Sequence, residues 1–159
     1  MSGGLPTLGP RGEGWVAGQV VIFGLAVAAG LLGPAWSPGS GGWRTAAALA
    51  AGLPGLALAA GAGLRLGRQL TPLPAPVPGG QLRDRGVYAL CRHPMYGGVL
   101  LLAVAWAFAS APLAFGPVAL AAVFLDAKRR VEERWLAARH PGYEEYRRRV
   151  RWRLVPYVW

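Results

Sequence analysis

The chain has 159 residues, 53% of them apolar, and a formal charge of +10. One domain is the expectation at that length, and the single cysteine, Cys91, excludes an intramolecular disulfide. High apolarity and high charge conflict in a soluble protein; they are reconciled when the apolar residues sit in lipid and the arginines line its edge.

Residues 1–14 are rich in Gly and Pro and read as irregular. Residues 15–33 carry no charge. About 19 helical residues span roughly 28 Å, close to the hydrocarbon thickness of a bilayer. Trp15 and Trp36 bracket the run as interfacial aromatics do. A cleaved signal peptide is the rival reading, but its positive leading region is thin and the apolar run is long for it. Residues 34–44 form a Ser-, Pro- and Gly-bearing loop, and 45–64 form a second uncharged run of Ala, Gly and Leu. Pro54 in its middle predicts a kinked span whose freed carbonyl is satisfied by neighbours. The small residues allow another helix to approach closely.

Residues 71–80 carry four prolines and read as a loop at the membrane surface. Residues 81–96 are mixed, with Arg83, Arg85, Arg92 and His93. Residues 97–125 are uncharged, longer than the roughly 20 that one span needs. Ser110, Ala111 and Pro112 break the run, which predicts a tight helical hairpin, with a re-entrant pair as the alternative. The last arm continues as a helix over 126–140, Pro141-Gly142 stops it, and 144–159 form a basic, aromatic tail.

Charge sets the topology. Residues 65–92 hold five arginines against Asp84, and residues 126–159 hold ten basic residues against five acidic ones. The loop at 34–44 has only Arg44, and the turn at 110–112 has none. The positive-inside rule places the 65–96 segment and the tail in the cytoplasm, with both termini there for four spans. The expected fold class is therefore an all-α integral membrane bundle of about four transmembrane helices. Its C-terminal hairpin extends into a cytoplasmic helix and tail. Residues 1–159 form one domain: 1–79 hold two spans and the Pro-rich loop, and 80–159 hold the chemistry-capable motifs, hairpin and tail. Richness in Ala, Gly, Pro and Arg points to a GC-rich bacterial coding sequence, so the expected location is the bacterial inner membrane.

The first two spans contain no ionisable residue, and Gln19 is their most polar side chain. An ion-coupled transporter usually needs a charge at membrane depth, so chemistry belongs to the cytoplasmic edge. Two clusters lie there. One runs Gly86-Val-Tyr88, then Arg92-His93-Pro94-Met95-Tyr96-Gly97-Gly98. The other has Lys128, Arg129, Glu132, Glu133 and Leu136, then Tyr143-Glu-Glu-Tyr146 and Pro156. Each feature alone has an ordinary explanation: Pro94 starting a helix, tyrosines as interface anchors, glutamates on a solvated face. Lys128, Glu132 and Leu136 share one helix face. An exposed Lys128–Glu132 pair in that orientation contributes only about a few tenths of a kcal/mol.

As an ordered set with these intervals, the motifs over residues 80–157 resemble the superfamily of isoprenylcysteine carboxyl methyltransferases and phospholipid N-methyltransferases. The resemblance implies an S-adenosylmethionine-dependent methyltransferase. Its cofactor-binding positions fall here on Gln81, Leu82, Tyr88, His93, Pro94, Met95, Tyr96 and Glu132. Lys128 falls on a basic substrate position where the family carries Arg, and Arg129 is the substitute candidate. No metal and no covalent enzyme nucleophile are implied, which leaves Cys91 a structural role. The implied acceptor is lipophilic or membrane-anchored: a prenylcysteine-like carboxylate, a phospholipid amine, or another small lipophile. A non-catalytic alternative is a membrane protein whose tail binds anionic lipid headgroups through Arg147, Arg148, Arg149, Arg151 and Arg153, beside Trp152 and Trp159. Nucleic-acid binding by that tail lacks a fold signature.

Overall fold

A computed structural model describes residues 5–159. It is all-helical, with no strand among the described residues. Five α-helices follow in order: α1 (Glu13–Leu32), α2 (Gly41–Leu66), α3 (Pro94–Ala109), α4 (Phe115–Arg139) and α5 (Tyr143–Arg149). By length and composition, α1 and α2 can each cross a membrane, and α3 is a shorter apolar helix of 16 residues. Only 17% of the most apolar stretch of α1 or of α2 is buried inside the protein. Val20, Leu25 and Leu32 of α1 and Leu49, Leu53 and Leu64 of α2 face outward. A soluble core helix would bury such residues; an apolar surface of this extent fits lipid.

The helices pair as α2 with α3 and α1 with α4. Small residues make the first pair possible. A Cβ on Gly98 would lie 2.6 Å from the Ala59 nitrogen and 2.7 Å from the Gly55 oxygen. A Cβ on Gly55 would lie 3.0 Å from the Gly98 oxygen. The backbones touch, as small-residue stripes permit. Helix α2 runs continuously through Pro54. In the second pair, the Trp15 and Phe124 rings pack 5.1 Å apart, and the Phe124 ring lies over Gly18. Ile22, Ala26, Leu100, Ala103, Val118 and Leu125 join α1, α3 and α4 in a common core. The short turn over 110–114 separates α3 from α4, where the sequence placed the hairpin break. Each arm nevertheless finds its main partner in an N-terminal helix rather than in the other arm.

The two ends of the bundle differ chemically. At one end Trp36, Trp43, Phe108 and Phe115 interlock, with Trp36–Trp43 centroids 5.4 Å apart and Phe108–Phe115 centroids 4.9 Å apart. Arg44, expected in a loop, instead lies in the first turn of α2, 5.5 Å over the Trp36 ring. The opposite end collects the N-terminal segment, the 67–93 connection, the end of α4, α5 and the tail. Ala75 N–H donates to the Arg11 carbonyl at 3.3 Å, and Arg134 donates to the Leu5 carbonyl. Part of the tail, read from sequence without secondary structure, forms α5: Glu144 and Glu145 occupy its first turn and Arg147–Arg149 its last, matching the helix dipole at both ends.

Candidate functional site

The site begins with how the 86–98 segment is held. Gly86 has φ +65°, a left-handed conformation that favours glycine, and a Cβ there would also meet the Arg65 guanidinium at 2.7 Å. A single 3₁₀ turn over Gly86–Ala89 then buries Tyr88. Pro94 opens α3 at its first turn, where its missing N–H costs nothing. The tail straps this segment down. Arg92 N–H donates to the Trp152 carbonyl at 3.0 Å, and His93 N–H to the Arg153 carbonyl at 2.8 Å. Cys91 Sγ donates to the Leu154 carbonyl at 3.2 Å. Gly97 lies beneath the Leu154 carbonyl, with no room for a Cβ.

The two adjacent glutamates of α4 have different tasks. Glu133 is buried and bound on both oxygens: Oε1 accepts from Arg92 Nε at 2.9 Å and lies 3.2 Å from His93 Nε2, while Oε2 lies 3.1 Å from Arg129 Nη1. Burial alone would raise its pKa, but His93 and then Arg92 outweigh burial and hold the carboxyl well below its usual range. Glu132 is more open. Its Oε2 accepts from the Tyr96 hydroxyl at 2.6 Å and lies 3.7 Å from His93 Nδ1. The His93 and Tyr96 rings stack 5.5 Å apart, so His93 is wedged between the two carboxylates.

A cavity of about 870 Å³, including the space at its mouth, opens beside Glu132. The Pro-rich loop and the end of α2 form one side, through Leu66, Gln69 and Leu73–Val77. The other side is formed by the 88–96 segment, α4 and α5. Seven of the eight cofactor positions implied by the resemblance line it: Gln81, Leu82, Tyr88, His93, Met95, Tyr96 and Glu132. Pro94 is fully buried behind them. Burial raises the Tyr88, Tyr143 and Tyr146 hydroxyls above the ordinary phenol range, so they are protonated donors at neutral pH. Tyr146 spends its proton on the Tyr88 carbonyl at 2.8 Å.

The two candidate substrate residues lie elsewhere. Lys128 is fully buried, and its Nζ donates to Gln19 Oε1 at 2.6 Å and to the Pro72 carbonyl at 2.8 Å, 5.2 Å from the Tyr96 ring centroid. Burial pushes its pKa down to about 8, against the opposing pull of Glu132. Neither it nor Arg129 lines the cavity. Arg129 is committed to Asp126, at 2.7 Å through Nη2, and to Glu133. Its outer side faces a separate cleft with Arg92, Arg147, Arg151 and Arg153.

Glu133 and Tyr143 stand in the sequence motifs, but neither is assigned a role there, although the Arg129–Glu133 spacing of four residues is a local signal for an ion pair. Tyr143 is 1% exposed and is among the residues lining the cavity. The cavity offers a polar ligand an acceptor at Glu132, the aromatic side chain of Tyr88, and an aliphatic wall from the Pro-rich loop. No protein-family model matches the chain, and no curated protein matches it.

Proposed function

We propose that the protein is an S-adenosylmethionine-dependent methyltransferase acting on a lipophilic or membrane-anchored acceptor, and that the cavity beside Glu132 holds the cofactor. The observation that supports this reading most is the convergence of seven motif-nominated residues on one cavity. They come from the 81–82 connection, the turn carrying Tyr88, α3 and α4.

The residues present fit such a cofactor. Glu132 retains an oxygen for a hydroxyl or ammonium donor, and a charge-assisted bond of that kind is stronger than a neutral one. Tyr88 lines the cavity with an aromatic ring, to which a cation is attracted by up to about 2 kcal/mol when desolvated. Tyr96 is already engaged, with its hydroxyl on Glu132, His93 stacked on its ring and Lys128 Nζ 5.2 Å from its centroid. Met95 and the prolines of the loop supply apolar contact. When bound, such a cofactor would supply a methyl group on a sulfonium, which an acceptor's lone pair would take as the C–S electron pair is left on sulfur. The chain's contribution is positioning and exclusion of water, and alignment of this kind is worth up to about 7–11 kcal/mol.

The proposed setting is a four-span bundle. α1, α2, α3 and the apolar part of α4 form the spans; the charged end and both termini are cytoplasmic, in a bacterial inner membrane. The asymmetry between the aromatic end, with Arg44 as its basic residue, and the arginine-rich end supports this orientation. The acceptor reaches the cytoplasmic edge laterally from lipid.

Calorimetric titration of S-adenosylhomocysteine into the detergent-purified protein tests the reading. Micromolar binding that Glu132→Gln abolishes is expected; folded protein that does not bind overturns it. A second reading, anionic-lipid binding without catalysis, is favoured by the arginine cleft of Arg147, Arg151 and Arg153. It becomes the better account if binding is absent and anionic lipid alone stabilises the protein.

A further inference from the structure

The end of α2 and the turn that follows residue 82 enclose a further cleft, of about 810 Å³ including the space at its mouth. It is lined by Leu64, Arg65, Leu82, Arg83, Asp84 and Arg85. Two close contacts fix its sides together. Val87 lies over Gly61 of α2, where a Cβ would come within 2.7 Å of its Cγ1. The Arg65 guanidinium lies over Gly86, where a Cβ would meet Nε at 2.7 Å and Nη2 at 3.1 Å. The cation at the end of α2 is thus held against the residue that follows Arg85.

Charge in this cleft is one-sided. Asp84 is the one acid among the lining residues, and its Oδ2 is taken at 2.6 Å by Arg149, which lies outside the cleft. Arg65 and Arg85 are exposed, and their guanidinium groups make no ion pair or hydrogen bond among the described residues. Arg65, in the last turn of α2, complements the helix dipole there, but that does not account for Arg85 beside it. A cleft lined by one sign of charge concentrates the opposite ion. The same cleft has an apolar edge. Leu64 is 85% exposed at the end of a helix long and apolar enough to cross a membrane. An outward leucine directly followed by a free guanidinium matches the boundary between acyl chain and phosphate.

We propose that this cleft binds one anionic phospholipid, whose phosphate is held by Arg65 and Arg85 and whose acyl chain follows Leu64 along α2. Basic pockets at the cytoplasmic ends of spans bind anionic headgroups in this way, and guanidinium groups bind phosphate through charge-assisted hydrogen bonds. The proposal rests on the membrane setting above and is independent of the cofactor reading. Leu82 and Arg83 line both this cleft and the cofactor cavity, so neither carries the assignment. Because Arg149 occupies the one carboxylate, the cleft disfavours the ammonium of a zwitterionic headgroup. A lipid held here is a bound structural lipid, not a methyl-accepting amine. The site is also separate from the cleft that contains Arg151 and Arg153.

Native mass spectrometry of the detergent-purified full-length protein tests the site, with dioctanoyl phosphatidylglycerol, dioctanoyl phosphatidylcholine or glycerol 3-phosphate added. Wild type is expected to hold one phosphatidylglycerol and to bind the other two more weakly. In the double variant Arg65→Gln, Arg85→Gln, phosphatidylglycerol affinity is expected to fall about tenfold or more. The double variant Arg151→Gln, Arg153→Gln is expected to lose less. Both cleft arginines are exposed, so without lipid their double variant is expected to melt as wild type does. If it does not fold, Arg85→Gln alone, which leaves Arg65 on Gly86, is expected to lose about fivefold. Unchanged affinity in the cleft variants overturns the site, as does an equal or larger loss in the tail variant. Phosphatidylcholine bound as tightly as phosphatidylglycerol overturns it too. Glycerol 3-phosphate bound as tightly as the lipid makes the cleft a free-phosphate site and overturns the lipid. Protein that stays in solution without detergent overturns the membrane setting as well, whereas membrane-extracted protein that holds no phosphatidylglycerol overturns the site alone.

Discussion

Arg92 donates through Nε to Glu133 at 2.9 Å and through Nη1 to the carbonyls of Val150 at 2.8 Å and Arg151 at 3.1 Å. One guanidinium therefore joins the segment leading into α3, the C-terminal part of α4 and the C-terminal strap. Removing one partner of a buried pair leaves a charge uncompensated, a loss of about 3–5 kcal/mol. Glu133→Ala is expected to destabilise the protein on that scale. Glu132→Gln, which disturbs a more open carboxylate, is expected to alter ligand binding with little change in stability. Thermal unfolding of both variants in one detergent checks the contrast; equal melting temperatures would show that the two glutamates share one role.

The same carboxylate sets an acid limit. The Glu133 pKa is held below its ordinary 4.5, so its stabilising contribution is complete above about pH 4.5 and fades as pH falls toward the folded-state value. Stability is expected to decline below about pH 4.5 with a steeper slope in wild type than in Glu133→Gln. Parallel slopes would remove Glu133 from the account.

Lys128 has the opposite sense. Its pKa falls from 10.5 to about 8 in the fold, so between those values the unfolded chain holds a proton that the folded chain has released. Stability contributed at Lys128 therefore rises with pH through this window. Cys91, whose thiol burial pushes up from 9.0 to about 12, acts in reverse above about pH 9. The clean interval is pH 7–9. The wild-type advantage over Lys128→Met is expected to grow across that interval, by about 1 kcal/mol. A gap independent of pH would place the buried amine's titration elsewhere.

The elements legible in the sequence were those with long-range uniformity. The uncharged runs at 15–33 and 45–64 fall within or end beside α1 and α2, and Ser110-Ala111-Pro112 marks the turn before α4. The pairing of α2 with α3 was not legible. Runs of Ala, Gly and Leu are apolar on every side, so no periodic stripe names a partner, and only the mutual approach of Gly55 and Gly98 does. The motif spacing gathered Tyr88, His93, Tyr96 and Glu132 around one cavity, because a turn, a helix start and a helix end meet there. It could not foresee that Lys128 and Arg129 are spent internally: their partners Gln19, Pro72 and Glu133 include residues over fifty positions away. The return of 152–154 to Cys91–His93 likewise leaves no local trace, since its bonds are backbone to backbone or thiol to backbone.

The glycine contacts give a packing prediction. Gly98→Ala places a methyl group against the α2 backbone, and overpacking of this kind typically costs about 1–3 kcal/mol. Gly24, in α1, has open space where a Cβ would go, and Gly→Ala in a helix interior is worth roughly 0.5–1 kcal/mol in the stabilising direction. Gly98→Ala is expected to melt below wild type and Gly24→Ala at or above it. A reversal of that order would mean that α2 and α3 are not in backbone contact.

The arginine tail gives the last prediction. Arg151 and Arg153 are exposed, and their guanidinium groups make no hydrogen bond or ion pair among the described residues. They share a cleft with Arg147, Arg129 and Arg92, where only Glu133 opposes them. Each basic residue near an anionic surface contributes about 1 kcal/mol, and salt screens the attraction within a Debye length. Anionic phospholipid added to the detergent-purified protein is expected to raise its melting temperature, zwitterionic lipid to raise it less, and high salt to erase the difference. In the double variant Arg151→Gln, Arg153→Gln the lipid-dependent shift is expected to shrink while S-adenosylhomocysteine affinity is unchanged. That separation is what distinguishes an anchoring tail from the cofactor cavity: both sites border Arg92, but only the cavity contains Glu132. If the double variant loses both the lipid response and ligand binding, the tail is part of the ligand site rather than an independent anchor.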